Sequence, residues 1–177
     1  MSSKTQSSVE KAKKTGVKKK FYITSPSGWA LVEVLPKIDM AARMATNAFA
    51  FQKLHLEEYK TQKDILREYI EGVELWTQEV FEQVVQNNKR SRFNLKMHNE
   101  EIKSSKFIYC NTEIGLDAYR GFAKCDTMNR CLIHALRYDV VSEDFYDQKS
   151  RNLLNVINNC KADVKNMVAS LSQTATV

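Results

Sequence analysis

The segment after Gly121 contains neither glycine nor proline, and this absence constrains the fold more than any other feature of the chain. Without the two residues that most oppose helix formation, long helices can extend through residues 122–177. Apolar residues near the end of the chain are spaced alternately four and three apart, which places them on one helix face. They are Leu153, Ile157, Cys160, Val164, Met167 and Leu171. We therefore predict a long amphipathic helix that begins at Ser142 and must be covered by other helices.

The upstream sequence predicts three more helices and a small sheet. Pro26 and Gly28 indicate a turn, whereas Pro36 and Asp39 indicate the start of the first helix. The other predicted elements are a helix over residues 61–88, short strands over 92–98 and 106–110, and a helix from Asn111 and Thr112 to Tyr138. The predicted fold class is all-α, a four-helix up-and-down bundle with a small antiparallel β-sheet at one end.

The positive charge of the chain is concentrated at its N-terminus. Residues 1–20 contain seven lysines and one acid, Glu10, which gives a net charge of +6 (7 − 1). The rest contains 20 basic and 20 acidic residues (27 − 7 and 21 − 1) and is neutral. We predict a disordered basic arm over 1–20, a four-helix domain over 21–171 and a flexible tail over 172–177.

Several function classes find no support in the sequence. The four cysteines form no Cys-x-x-Cys pair and the three histidines have no ligand spacing, so neither a metal site nor a disulfide framework is predicted. We find no phosphate-binding loop, nucleophile elbow or His-Glu-x-x-His motif, and we predict no enzyme activity and no cofactor. The chain has no apolar run of about 18 residues, so we predict no membrane span and a cytosolic protein.

A polar cluster interrupts the apolar pattern of the third predicted helix. Asp126, Asn129 and Arg130 lie among Cys125, Met128 and Cys131. A solvated turn of an amphipathic helix accounts for such a cluster, and so does a binding site.

Short segments of the chain resemble the coat proteins of rod-shaped plant viruses of the tobacco mosaic virus type. The segment "CDTMNR" (125–130) resembles the most specific motif of that family, Phe-Asp-Thr-Arg-Asn-Arg. The other similar segments, in the family's order, are "ITSPSGW" (23–29), "TNAF" (46–49), "ELW" (74–76), "RF" (92–93) and "INN" (157–159).

The resemblance implies a structural protein that assembles, as many copies, into a helical tube around genomic single-stranded RNA. It implies sequence-independent backbone and stacking contacts, with Arg130 on a phosphate and Asp126 orienting it or meeting a ribose hydroxyl. Its location would be the virion and the host cytoplasm. The full set of implied RNA-binding residues is Asp126, Thr127, Asn129, Arg130, Asp147, Arg151, Asn155 and Asn159.

The chain departs from the family pattern at several basic positions. Met128 stands where the family has an arginine, so a phosphate contact is lost or moves to Arg120, Lys124 or Arg151. On the second helix, the candidates for the family's arginine are Lys60, Lys63 and Arg67.

The family also uses carboxylates that face each other between subunits and oppose assembly at neutral pH. Glu74 matches one of them, and Glu113 and Asp117 flank the position of its partner, Gly115. An ordinary surface glutamate is the alternative for Glu74. The resemblance implies a pH switch weaker than the family's and possible weak calcium binding at these carboxylates.

A different protein class also fits the helical pattern. A cellular four-helix adaptor that binds a partner protein through an apolar groove would have the same periodicity. Such an adaptor does not require the polar cluster at 126–130, and it would remain a monomer where a coat protein polymerises.

Overall fold

In the part of the chain that the structure describes, the fold consists of four helices and one two-stranded antiparallel sheet, which agrees with the predicted all-α class. The partner of the predicted strand over 106–110 is Val17–Ile23, which the sequence analysis did not predict as a strand. The computed structural model describes residues 16–86 and 104–175. In chain order the elements are strand β1 (Val17–Ile23), helix α1 (Pro26–Ala50), helix α2 (Leu56–Phe81) with a π-helical turn (Glu82–Gln86), strand β2 (Ser104–Cys110), helix α3 (Glu113–Arg137) and helix α4 (Glu143–Ala175).

The elements form two copies of one strand–helix–helix unit. Each element of the second unit begins 87 residues after its counterpart (104 − 17 = 87), with the paired starts at Val17 and Ser104, Pro26 and Glu113, and Leu56 and Glu143. The left-handed residues that follow the first helix of each unit, Gln52 and Asp139, keep this offset. The segments "KIDMAAR" (37–43) and "KCDTMNR" (124–130) are also equivalent, with Lys, Asp and Arg at matching places.

An approximate two-fold axis relates the two units. Strands β1 and β2 pair antiparallel, with Val17 opposite Cys110 and Ile23 opposite Ser104. The central pair, Lys20 and Phe107, consists of equivalent positions of the two units. Because equivalent strands pair about equivalent residues, the axis passes through the middle of the sheet.

Asp126 of α3 holds the start of α1 in place. Its side chain is buried and accepts hydrogen bonds from the backbone N–H groups of Thr24 (2.8 Å) and Ser25 (3.1 Å). It also accepts the hydroxyl protons of Thr24 (2.8 Å) and Ser25 (2.5 Å). A carboxylate at a helix N-terminus is favourable because it faces unpaired N–H groups and the positive end of the helix dipole.

The equivalent aspartate of the first unit, Asp39, holds the start of α3. It accepts hydrogen bonds from the backbone N–H groups of Asn111 (3.0 Å) and Thr112 (3.0 Å) and from the Thr112 hydroxyl (2.8 Å). Thr112 in turn caps α3 by accepting from the Gly115 N–H. We call these two sets of contacts the reciprocal aspartate clasps, one around Asp39 and one around Asp126.

Each clasp depends on a glycine in the first turn of the helix that it holds. A β-carbon on Gly28 would collide with the Asp126 carboxylate, and one on Gly115 would collide with the Asp39 carboxylate. Only glycine lets a buried carboxylate approach the helix backbone this closely.

The predicted up-and-down order of the four helices is wrong. Asp39 in the middle of α1 meets the start of α3, and Asp126 in the middle of α3 meets the start of α1, so these helices run antiparallel. Helices α2 and α3 run parallel, because Glu74 lies beside Gly121 and, further along both helices, Phe81 and Met128 line one groove. The directions are therefore up, down, down, up.

Helix α1 begins ten residues earlier than the prediction. Pro26 lies at its first turn instead of in a turn between elements, since proline needs no N–H there and its fixed φ suits a helix start. Pro36 lies inside the helix with an exposed side chain. Asp39 clasps α3 and does not cap its own helix.

Regular secondary structure begins earlier and ends later in the chain than predicted. Strand β1 begins at Val17, inside the predicted disordered arm, because pairing with β2 satisfies its backbone. Helix α4 continues to Ala175, inside the predicted flexible tail. The predicted strand over 106–110 is confirmed as part of β2, whereas the predicted strand over 92–98 lies outside the described residues.

The apolar face predicted for the last helix is confirmed. All six of its residues are buried: Leu153, Ile157, Cys160, Val164, Met167 and Leu171. On α2 the buried residues are Leu66, Ile70, Val73, Trp76 and Val80. The two units share a single hydrophobic core.

The clasps predict that two distant aspartates contribute comparable stability. Asp126→Asn and Asp39→Asn each place an amide N–H₂ against N–H donors, which should lower the free energy of unfolding by about 2–4 kcal/mol. Denaturant unfolding followed by circular dichroism measures this loss. The control Asp64→Asn, at an exposed position of α2, should change stability by less than about 0.5 kcal/mol. A loss for Asp126→Asn no larger than that of the control would contradict the clasps.

The buried thiols predict a loss of stability in alkali. Burial raises the pKa of Cys125 and Cys160 to about 12 and that of Cys131 to about 11, from an ordinary value of 9.0. The stabilisation is therefore complete below pH 9 and is lost as the pH rises through these higher values. Each thiol should lower the free energy of unfolding by up to about 1.4 kcal/mol per pH unit. Cys160→Ala should show a shallower decline than the wild type in urea unfolding between about pH 8.5 and about pH 10. Equal slopes would contradict the account.

Candidate nucleic-acid interface

Three of the four RNA-binding residues predicted on α3 have buried side chains. The Asp126 carboxylate accepts the hydrogen bonds of its clasp from Thr24 and Ser25. Asn129 is buried and donates to the hydroxyls of Ser25 (3.1 Å) and Ser27 (2.8 Å). Only 5% of Arg130 is exposed, and no hydrogen-bond acceptor for its Nε lies within the described part of the chain. In the isolated subunit these three side chains do not form an accessible surface.

Thr127 is the exposed member of the predicted α3 set. Its hydroxyl donates to the Ala123 carbonyl at 3.2 Å, and its side chain lines a groove on the outer surface between α2 and α3. The groove is mainly apolar at this point, with Phe81 and Met128 on its walls.

The residues predicted on α4 form a separate stripe. Asp147, Arg151, Asn155 and Asn159 are all exposed and spaced by four, on the helix face opposite the buried one. The Arg151 Nε donates weakly to the Asp147 carbonyl, at 3.4 Å. The structure thus does not bring the α3 and α4 sets together on one surface.

A cleft between α2 and α3 collects charged groups that the sequence had assigned to different roles. We call it the α2–α3 cleft, and its volume is about 490 Å³. Its charged lining consists of the cations Arg67, Arg120 and Lys124 and the carboxylates Glu71, Glu74 and Asp117. Arg120 pairs with Asp117 at 3.8 Å, one turn away on the same helix. Two of the three predicted inter-subunit carboxylates therefore face the candidate phosphate-binding cations.

Helix packing explains why these groups meet. Gly121 faces α2 and its missing side chain leaves room for Glu74, whose Oε1 would lie 3.4 Å from a β-carbon at that position. Because α2 and α3 run parallel, Arg67 comes level with the first half of α3, and Arg120 and Lys124 come level with the second half of α2.

The third predicted carboxylate, Glu113, lines a neighbouring cleft of about 360 Å³. Arg43 and Lys63 lie in the same cleft, and Arg67 lines both clefts. The two clefts together therefore present five cations along the surface of α1, α2 and α3.

The equivalent surface between α4 and α1 carries the opposite arrangement of charge. Glu33 occupies the position of Arg120, and Lys161 occupies the position of Glu74. These two side chains pair at 3.0 Å, and the Lys161 ammonium lowers the pKa of the Glu33 carboxyl. The two-fold repeat thus places charges of reversed sign at matching sites.

The sequence reasoning missed two charged residues, namely Glu71 in the α2–α3 cleft and Arg43 in the neighbouring cleft. Arg43 is the cation of the two. It is exposed at the position equivalent to Arg130, and the repeated Lys-x-Asp-x-x-x-Arg pattern over 37–43 and 124–130 was the signal that could have indicated it. The pattern is hard to detect because the intervening residues differ.

Two general features bear on ligands. Within residues 16–86 and 104–175 there is no group of three or more His, Cys, Asp and Glu side chains that could hold a metal ion. Calcium binding between carboxylates of neighbouring subunits stays a prediction. In the same ranges, none of the helices combines the length and apolar character needed to cross a membrane.

Comparison of the chain with known proteins identified no relative. The chain matches no protein-family model, no curated protein sequence and no solved structure.

Proposed function

We propose that this chain is a structural coat protein that self-assembles into a helical capsid around single-stranded RNA. The observation that carries the proposal is the α2–α3 cleft, where Arg67, Arg120 and Lys124 converge on a surface lined with carboxylates. Exposed cations in a cleft suit a phosphate backbone, which all RNA sequences share. A coat that covers a whole genome requires this kind of contact.

The charge balance supports binding through many copies. The cleft holds three cations and three carboxylates, so one subunit attracts RNA only weakly. Repetition of the site along one strand converts weak contacts into strong binding, because each further contact is made at a high effective concentration.

Exposed apolar side chains support self-association. Phe51 lies at the connection between α1 and α2, and Tyr138 occupies the equivalent place between α3 and α4. Leu75 and Leu154 are exposed on the outer faces of α2 and α4. Contacts between different apolar surfaces of successive copies produce open filaments when the rotation between copies does not close a ring.

The proposal depends on this surface chemistry and not on helix order, which departs from the up-and-down arrangement. The site that we propose for the phosphates also differs from the implied one, since Arg130 is buried and the cleft cations are accessible. The corresponding locations are the virion and the host cytoplasm.

Electron microscopy tests the proposal directly. Purified protein in negative stain, with long single-stranded RNA, should form rods with a hollow core, at greater length in mildly acidic than in neutral buffer. Without RNA we expect only short discs or no assembly. Uniform small particles in every condition would contradict the proposal and favour the cellular adaptor.

Charge removal tests the role of the cleft. Arg120→Gln combined with Lys124→Gln should weaken binding of long single-stranded RNA and reduce the slope of log affinity against log salt by about 1.4. The control, Arg137→Gln with Lys165→Gln, removes equal charge from exposed positions outside the cleft. Filter binding over a salt series measures both slopes. Equal losses in the two variants would show that net charge, not the cleft, attracts RNA.

Neutralising cleft carboxylates should have the opposite effect. Glu74→Gln and Asp117→Asn each remove a negative charge beside the cations, so affinity for RNA at neutral pH should rise about two- to five-fold. Rod length in the double variant should depend less on pH between mildly acidic and neutral buffer than in the wild type. An unchanged affinity together with an unchanged pH profile would remove these carboxylates from the mechanism.

A further inference from the structure

The outer face of the two-stranded sheet combines lysines and aromatic rings in a regular pattern. Three cross-strand pairs project from it, namely Lys18 with Tyr109, Lys20 with Phe107, and Tyr22 with Ser105. We call these six residues the basic-aromatic sheet face. None of them is acidic.

The three rings of this face are unusually open to solvent. Tyr22 is 49% exposed, Phe107 is 59% exposed and Tyr109 is 56% exposed. Lys18 Nζ lies 4.2 Å from the Phe107 ring centroid, and Lys20 Nζ lies 5.3 Å from that of Tyr22. Exposed aromatic side chains are costly in water, so rings kept on one face with flanking cations indicate a ligand.

The platform beneath the rings is rigid. The opposite face of the same strands is buried in the core through Phe21, Ile23, Ile108 and Cys110. Tyr119 of α3 donates to the Lys20 carbonyl at 2.8 Å, which ties the first strand to the helices. The rings are thus supported on ordered strands, and their binding requires little ordering of the protein.

We propose that the basic-aromatic sheet face binds unpaired nucleobases of single-stranded RNA by stacking, with its lysines on the adjacent phosphates. Successive rows on one strand face lie about 6.7 Å apart, so neighbouring rings can each take a separate base of an opened strand. Stacking tolerates any sequence because every base has a π-face.

Charge argues against other occupants. A second copy of this face would bring Lys18 and Lys20 against the same lysines, and like charges repel. The N-terminal segment of this chain contains Lys4, Lys11, Lys13 and Lys14, so it does not complement the face either. Double-stranded RNA hides its base faces and offers the rings nothing to stack on. A polyanion with exposed π-faces fits both components of the surface.

The inference names a second contact surface for the RNA and therefore rests in part on the proposed function. The two claims can nevertheless fail separately, since a short oligonucleotide can occupy the face without nucleating a rod. Binding of a labelled ten-nucleotide oligouridylate is measured by fluorescence anisotropy at protein concentrations where sedimentation shows no assembly.

The double variant Tyr22→Ala with Phe107→Ala should bind the oligouridylate at least tenfold more weakly than the wild type. The control, Phe49→Ala with Leu56→Ala, removes two apolar side chains that are 37% and 47% exposed and lie where α1 ends and α2 begins. It should bind within about twofold of the wild type. Circular dichroism checks that both variants are folded. If the double alanine variant is unstable, Phe107→Tyr replaces it; this variant keeps a ring and should still bind the oligouridylate.

Other probes separate the sources of the signal. Lys18→Gln with Lys20→Gln should reduce the salt dependence of oligouridylate binding while leaving part of the affinity at high salt. Oligothymidylate should bind comparably, because stacking does not read the ribose, whereas a duplex of equal length should bind more weakly. Equal losses in the aromatic variant and its control would overturn the inference. So would equal binding of the duplex, or equally ring-dependent binding of polyglutamate, which would assign the face to an acidic protein. Rods that form while short oligonucleotides bind without using the rings would overturn this inference alone.

Discussion

Two buried carboxylates organise this protein, and the rest of the architecture depends on them. Asp39 and Asp126 each lie within one long helix and bind the N-terminus of the other, so they fix both the crossing of α1 and α3 and their antiparallel direction. A buried charge is tolerated only when hydrogen bonds replace its lost hydration, and each clasp supplies several donors. Glycines at 28 and 115 make the approach possible. The sheet continues from the same helix starts, so the clasps also place its outer face.

The two strand–helix–helix units share one architecture but present different surfaces. The repeat preserves what the clasps and core require, whereas charges at equivalent surface positions differ or reverse. Arg43 is exposed where Arg130 is buried, and the Glu33–Lys161 pair occupies the place of Arg120 and Glu74. The consequence is a molecule with approximate two-fold symmetry inside and an asymmetric exterior. Asymmetry of this kind suits head-to-tail association, in which different surfaces of each copy meet. The cleft and the basic-aromatic sheet face are two candidate RNA contacts on that exterior.

Local patterns in the sequence were sufficient to predict four helices and the buried face of the last one, but not the start of α1, the helix directions or the site. The buried face of α4 followed from its four-and-three spacing, because that pattern is a property of one helix. The burial of Asp126 could not be predicted, since its partners Thr24 and Ser25 lie 102 and 101 residues away. The lysines of β1 suggested disorder by composition, yet backbone pairing with β2 orders them. The antiparallel arrangement of α1 and α3 depends on the same distant contacts. The repeat that underlies it is hard to detect, because the residues between the matching Lys, Asp and Arg differ.

The most direct test of where RNA meets this protein is ultraviolet cross-linking to long oligouridylate, followed by mass spectrometry of the cross-linked peptides. The account predicts adducts on peptides that contain Tyr22, Phe107 or Tyr109, together with protection of Arg120 and Lys124 from chemical modification. Adducts confined to the α4 stripe of Arg151, Asn155 and Asn159, or the absence of any adduct at saturating RNA, would contradict it.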